Sequence, residues 1–216
     1  MLQTLRQELN LRSIPTGAVR LPGDTAKPMD GALRLRPLEN GEWSLEVVDY
    51  GETFPISTAP DEASAAKALL AYIDRPIPPI SLFPTADIAR AVAAQEAMVA
   101  ELAERAAAGA PLIGLPEGFV VDRFGAIDGV RFYPLATPDE ERALPPVAEA
   151  AKGSARHAFI TRDIVLVTPR IVAPWFGQKG GGVQLTLSAP EVAIRDLLVS
   201  GALERFAEDR QPAAVS

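Results

Sequence analysis

The chain has no cysteine and a single histidine, His157, in 216 residues. Without cysteine there are no disulfide staples, thiolate ligands or thiol nucleophiles. One imidazole cannot build a multi-histidine zinc centre either, so no catalytic metal is expected. Positive charge is also scarce: 21 Lys and Arg against 28 Asp and Glu leave a net −7 and a pI near 4.9. Nucleic acid and anionic bilayers both demand clustered cations, so neither is an expected partner. No apolar run is long enough to cross a membrane, so no insertion is expected. The opening MLQTLRQELN is a polar helical pattern without the apolar centre of a signal peptide. The chain reads as cytoplasmic as synthesised, and any export would use a route that does not need a cleaved N-terminal signal. There is no GxxxxGK[ST], no GxGxxG after a strand and no GxSxG, which removes the common nucleotide-binding and hydrolase signatures.

What remains is an ordinary globular composition, 48% hydrophobic and 23% charged, with length enough for two small domains. The fold class reads as α+β. In residues 31–57, GALRLRPL and EWSLEVVDY alternate apolar and polar around Asn40-Gly41, a hairpin signal, and TFPIS suggests a third strand. From Pro60 to Asp74, a helical face of Ala65, Ala68, Leu69, Tyr72 and Ile73 follows acidic Asp61 and Glu62. Residues 1–84 thus read as a β-β-β-α module closed by the proline-rich linker RPIPPISLFP. A single helix capped by Thr85 and ended by Gly109 connects it, over 85–110, to a second domain at 111–216. There GFVVDRFG, VRFYPL, HAFITRDIVLV, RIVAPWFG and GVQLTLS read as strands of a central antiparallel-rich sheet. A closing helix is expected from Ala189-Pro190, burying Val192, Ile194, Leu197 and Leu198, and the tail EDRQPAAVS is expected to fray.

Three segments of the second domain carry residues suited to chemistry. In Phe176-Gly177-Gln178-Lys179-Gly180-Gly181-Gly182-Val183-Gln184, three successive glycines permit positive φ and close approach of backbone amides to a phosphate or sugar; a flexible turn is the plainer alternative. Strand alternation can aim Gln184 into a cleft, or equally into solvent. In Val121-Asp122-Arg123-Phe124-Gly125, Arg123 offers a planar fork to a diphosphate or carboxylate, unless Asp122 and Arg123 are a surface pair. In Glu140-Glu141-Arg142-Ala143-Leu144-Pro145-Pro146, Arg142 precedes a rigid turn and can serve likewise. His157 lies on an apolar strand, where a hydrogen-bonded structural role is the usual one.

Taken in order, DRFG, ERALPP and APWFGQKGGGVQ resemble the tuberculosis necrotizing toxin family over roughly residues 111–206. The resemblance implies a mixed α+β domain that hydrolyses NAD, or also NADP, to ADP-ribose and nicotinamide. NAD is then the substrate, and no cofactor is implied. It also implies a bacterial toxin or effector with an immunity protein as partner. Carried over residue by residue, Gln184, His157 and Arg142 would be catalytic. Arg123, Phe124, Tyr133 and the glycines Gly180, Gly181 and Gly182 would bind the substrate. The chain departs from the family at Arg156-His157-Ala158-Phe159, where a Tyr-His-x-Tyr pattern is common. It also has Lys179 in place of a proline and Leu185 in place of an aromatic. The alternatives are ADP-ribosyl transfer, which usually needs a glutamate where GGGVQ offers Gln184, and a module that binds a nucleotide or partner without catalysis.

Overall fold

The computed structural model describes residues 2–25, 27–109, 111–144, 156–189 and 191–209. The N-terminal half begins with α1 (Leu2–Leu11) and builds a four-stranded sheet from β1 (Val19–Arg20), β2 (Ala32–Pro37), β3 (Trp43–Asp49) and β4 (Glu52–Ala59). The expected β2–β3 hairpin forms: Gly41 takes φ 86° and the Asn40 side chain accepts from Glu42 N. The sheet also has a strand absent from the β-β-β-α reading, β1, which runs parallel to β2. Helix α2 (Glu62–Ile73) starts where Asp61 accepts from Ser64 N at 2.7 Å, a side-chain cap of the usual kind. It buries Ala65, Leu69 and Tyr72 on the expected stripe.

The second sheet has eight strands in the order β5-β12-β9-β7-β8-β11-β10-β6. They are β5 (Ser81–Pro84), β6 (Ile113–Leu115), β7 (Val120–Phe124), β8 (Arg131–Pro134), β9 (Arg156–Thr161), β10 (Val165–Ile171), β11 (Val183–Leu187) and β12 (Leu203–Asp209). Every pairing is antiparallel except β5 with β12, as an antiparallel-rich α+β domain requires. Only three residues join β9 to β10, although three other strands lie between them in the order. A flat sheet would set those two strands about 19 Å apart at the usual spacing. A short connection reaches only about 14 Å, so the sheet must be strongly curved.

Four expectations change here. The end of the proline-rich stretch, Ser81–Pro84, is not linker but the edge strand β5, where a proline is tolerated because one side lacks a ladder partner. The connecting helix is two helices, α3 (Thr85–Ala94) and α4 (Glu96–Ala107), broken at Gln95. Gln95 is buried and its amide bonds both Val120 N and Val120 O, at 2.8 and 3.0 Å. The tertiary pull of that double bond outweighs a continuous run of good helix formers. Thr85 bonds Glu208 instead of capping the helix. The segment HAFITRDIVLV splits at Arg162–Ile164 into β9 and β10.

After α5 (Asp139–Arg142), the chain ends through α6 (Ile194–Ser200) and β12. Helix α6 starts later than expected; Asp196 accepts from Ala193 N at its entry, and Pro190 lies outside the described residues. Glu208 and Asp209 belong to β12 rather than to a frayed tail, whose remaining residues, 210–216, lie outside the described ones. One apolar core runs through both halves, from Leu5 and Leu33 to Phe132, Leu185 and Leu198. Among the described residues no helix is long and apolar enough to cross a membrane.

Candidate functional site

The register places Asp122 of β7 beside Tyr133 of β8, and Leu185 of β11 beside Phe132, so Tyr133 neighbours Gln184. Because side chains alternate along a strand, Asp122, Tyr133 and Gln184 share one face of the sheet. The Gln184 amide donates to the Tyr133 hydroxyl at 2.8 Å, with both residues buried. Burial raises the Tyr133 pKa, while the Gln184 hydrogen bond and the Arg142 charge pull the other way. The phenol stays protonated.

Arg142 joins this row from α5. Its guanidinium meets Asp122 through two hydrogen bonds, at 2.7 and 3.1 Å, and its Nε donates to Thr137 O. It also lies over the rings of Tyr133 and Phe124, at 5.0 and 5.4 Å, a cation–π arrangement on two sides. Arg156, half-exposed, reaches the same Asp122 carboxylate. Arg142 is thus held by protein groups and is not open to a phosphate. Pro145 and Pro146, expected to form the turn after it, lie outside the described residues.

The next residue of β7 points the other way. Arg123 is fully buried on the opposite face, in register with His157 of β9. Asp122 and Arg123 are therefore not a surface pair: each is buried and each has its own partner. Arg123 holds Asp49, at the end of β3, through Nη1 and Nη2 at 3.1 and 3.0 Å, and donates to Arg131 O. Burial alone would lower the Arg123 pKa, but the Asp49 charge and hydrogen bonds reverse that and raise it. A Cβ on Gly129 would stand 1.5 Å from Arg123 Nη1, so only glycine leaves room for this guanidinium. His157 is held to a pKa of about 4 by burial first and then by the Arg123 and Arg205 charges, so it is neutral at pH 7.

The three glycines do not present free amides. Gly180 N donates to Glu140 O, Gly181 N to Val172 O and Gly182 N to Glu141 O. At two of them the missing side chain serves close packing: a Cβ on Gly180 would lie 2.6 Å from Val172 O and one on Gly182 2.9 Å from Glu141 O, whereas Gly181 faces open space at a φ of 94°. The loop thereby clamps α5, with Lys179 paired to Glu141, and fixes Arg142 over Tyr133. It also borders a groove of about 460 Å³ lined by α3, α4 and Pro134–Pro138. Ahead of it, Trp175 and Phe176 stack at 4.2 Å and stand exposed.

The structure thus brings Gln184, Tyr133, Phe124 and Arg142 together, and places Arg123 and His157 behind them. It adds groups that the sequence did not single out. Asp122 was visible as a charge inside an apolar strand, whereas nothing local marks Asp49, Tyr50 or Arg131. The turn carrying Asp49 and Tyr50 touches both sets: Asp49 meets Arg123, and the Tyr50 ring stands edge-on to Tyr133 at 6.4 Å. Among the described residues no group of three or more His, Asp or Glu could hold a metal ion.

Comparison with known proteins gives partial matches. Residues 114–206 match the family model described as tuberculosis necrotizing toxin. The conidial surface nicotinamide adenine dinucleotide glycohydrolase of Aspergillus fumigatus is 37% identical over 82 residues, covering 34% of this chain. The match spans about a third of that relative, 35% of its length. A solved structure, tuberculosis necrotizing toxin complexed with its immunity factor, aligns with a TM-score of 0.36 and 20% identity over 44% of this chain and 55% of that one, too slight a likeness to build on. The likeness to the tuberculosis necrotizing toxin family thus spans residues 114–206, less than half of the chain.

Proposed function

We propose that the C-terminal domain is an NAD glycohydrolase that cleaves the bond between nicotinamide and ribose, acting on NAD and open to NADP. The observation that carries this reading is the buried Gln184–Tyr133 pair at the end of the glycine loop, inside the 114–206 match to the toxin family, in a chain that is 37% identical over 82 residues to a protein named as such a glycohydrolase. Nicotinamide leaves a cationic pyridinium as a neutral molecule, so the protein chiefly has to hold the dinucleotide and favour an oxocarbenium-like ribose. Gln184, oriented by the Tyr133 hydroxyl, would hold the nicotinamide ribose or a water. The rings of Tyr133 and Phe124, already faced by the Arg142 cation, would back the site rather than meet the substrate's charge directly. Arg142 acts through Asp122 and Tyr133 as a positioning residue, because its donors are already engaged. His157, with its pKa pushed down to about 4 by burial, is a weak base that stays neutral at pH 7, and it lies behind the Gln184 row beside Arg123, so no proton transfer is assigned to it.

Such an activity would empty the NAD pool of the cell that makes it. We therefore assign the chain to a toxin or effector with a dedicated inhibitor protein. The test is release of free nicotinamide from NAD by the purified chain. Radiolabel left on protein would point instead to ADP-ribosyl transfer, and saturable NAD binding without product to a non-catalytic module.

A further inference from the structure

We infer that the N-terminal half completes the candidate site: the hydroxyl of Tyr50, at the tip of the β3–β4 hairpin, is a hydrogen-bonding contact for a sugar hydroxyl of the substrate held at Gln184. The sugar is that of the glycohydrolase reading, on which this inference rests.

Strands β3 and β4 pair out to Asp49 and Glu52, which leaves Tyr50 and Gly51 as a two-residue turn. Both take left-handed φ, 49° and 79°, the pattern of a turn that favours Asn-Gly over a bulky ring. The tip is fastened on both sides to the sheet of the C-terminal half. Asp49 accepts from Arg123, Val130 N and Arg131 N, and Glu52 pairs with Arg131 and Arg170. Arg170 lies in register with Gln184, and the Tyr50 ring stands edge-on to Tyr133, whose hydroxyl accepts from the Gln184 amide. The tip therefore flanks the row that holds Gln184, with Tyr50 at the Tyr133 end and Glu52 at the Arg170 end.

Stability does not explain a tyrosine at this position. The left-handed backbone is unfavourable for a residue with a side chain, and the Tyr50 hydroxyl is buried with no hydrogen-bond partner among the described residues. An unpaired buried hydroxyl costs stability that phenylalanine would not lose. Burial first, and then the neighbouring Tyr133, pushes the Tyr50 pKa well up, so the phenol keeps its proton. A neutral phenol donates one hydrogen bond and accepts others, which matches a sugar hydroxyl. The Tyr133 hydroxyl is already engaged by Gln184 and by Arg142 O, so Tyr50 supplies the unengaged polar atom beside that pair.

Tyr50→Phe in the full-length chain tests this, because it removes the hydroxyl and keeps the ring. Its melting midpoint should equal or exceed that of the wild type. In nicotinamide release, KM for NAD should rise about tenfold with kcat little changed, as for loss of a contact made alike in the bound substrate and the transition state. Tyr50→Asn, which suits the turn, should likewise keep or raise the midpoint and raise KM at least as much. A wild-type KM in Tyr50→Phe, or a KM that rises only together with a lowered midpoint, overturns the contact and leaves the glycohydrolase reading standing. If the folded wild type releases no nicotinamide, that reading fails, and the rise of the melting midpoint with added NAD decides. Half-saturation about tenfold higher in Tyr50→Phe than in the wild type supports the contact, whereas equal responses, or none in either protein, overturn it.

Discussion

Two buried ion-pair networks stand on opposite faces of β7, alike in chemistry and different in ownership. Asp122 is enclosed by Arg142 and Arg156, all three from the C-terminal half. Arg123 instead borrows Asp49 from the N-terminal half. A buried pair contributes little net stability, yet removing one partner strands the other charge at high cost. The first network can therefore only hold the candidate site in shape. The second ties the N-terminal half to the C-terminal one.

Breaking the first network should have the largest effect. Asp122→Ala leaves two guanidinium groups facing each other, and a loss of about 3–5 kcal/mol in urea unfolding is expected. Asp49→Ala should cost somewhat less, about 3 kcal/mol, since it strands one guanidinium rather than two. Equal losses would erase the distinction between the two networks.

The third effect is on pH. His157 has a folded pKa of about 4 against an ordinary 6.5, so the unfolded chain takes the proton first as pH falls. Its contribution is complete above about pH 6.5 and lost between there and pH 4, with a slope of at most about 1.4 kcal/mol per pH unit. His157→Gln should remove that component from a stability profile. An unchanged profile would mean that the ring is not held beside Arg123 as described. Smallest in stability is Gln184→Ala, which deletes one neutral hydrogen bond and should cost about 1 kcal/mol.

The sequence carried the parts of this molecule that depend on local pattern. The Asn40-Gly41 hairpin, the α2 stripe, the α+β class and the family motifs all rest on spacing within a few residues. What escaped it depends on distant partners. The break at Gln95 is set by Val120, and the strand nature of Ser81–Pro84 by β12. Even so, alternation in Val121-Asp122-Arg123 already separates the two charges onto opposite faces, a reading that the surface-pair alternative overlooked. The glycine loop has the close backbone approach expected of it, but the approach is to protein. Bare Cα atoms, with positive φ at Gly180 and Gly181, let the loop meet Val172–Pro174 and α5 rather than a ligand. Asp49 gives no signal at all, since an acid ending a strand is commonplace until its partner is 74 residues away.

The most direct test is the rate of nicotinamide release from NAD by the full chain and by Gln184→Ala, with circular dichroism to confirm that both are folded. Release by the wild type, falling at least about 100-fold in the variant as expected for a group acting at the reacting centre, is the expected result. Equal rates in the two proteins, or no release by a folded wild type, would contradict a glycohydrolase centred on Gln184.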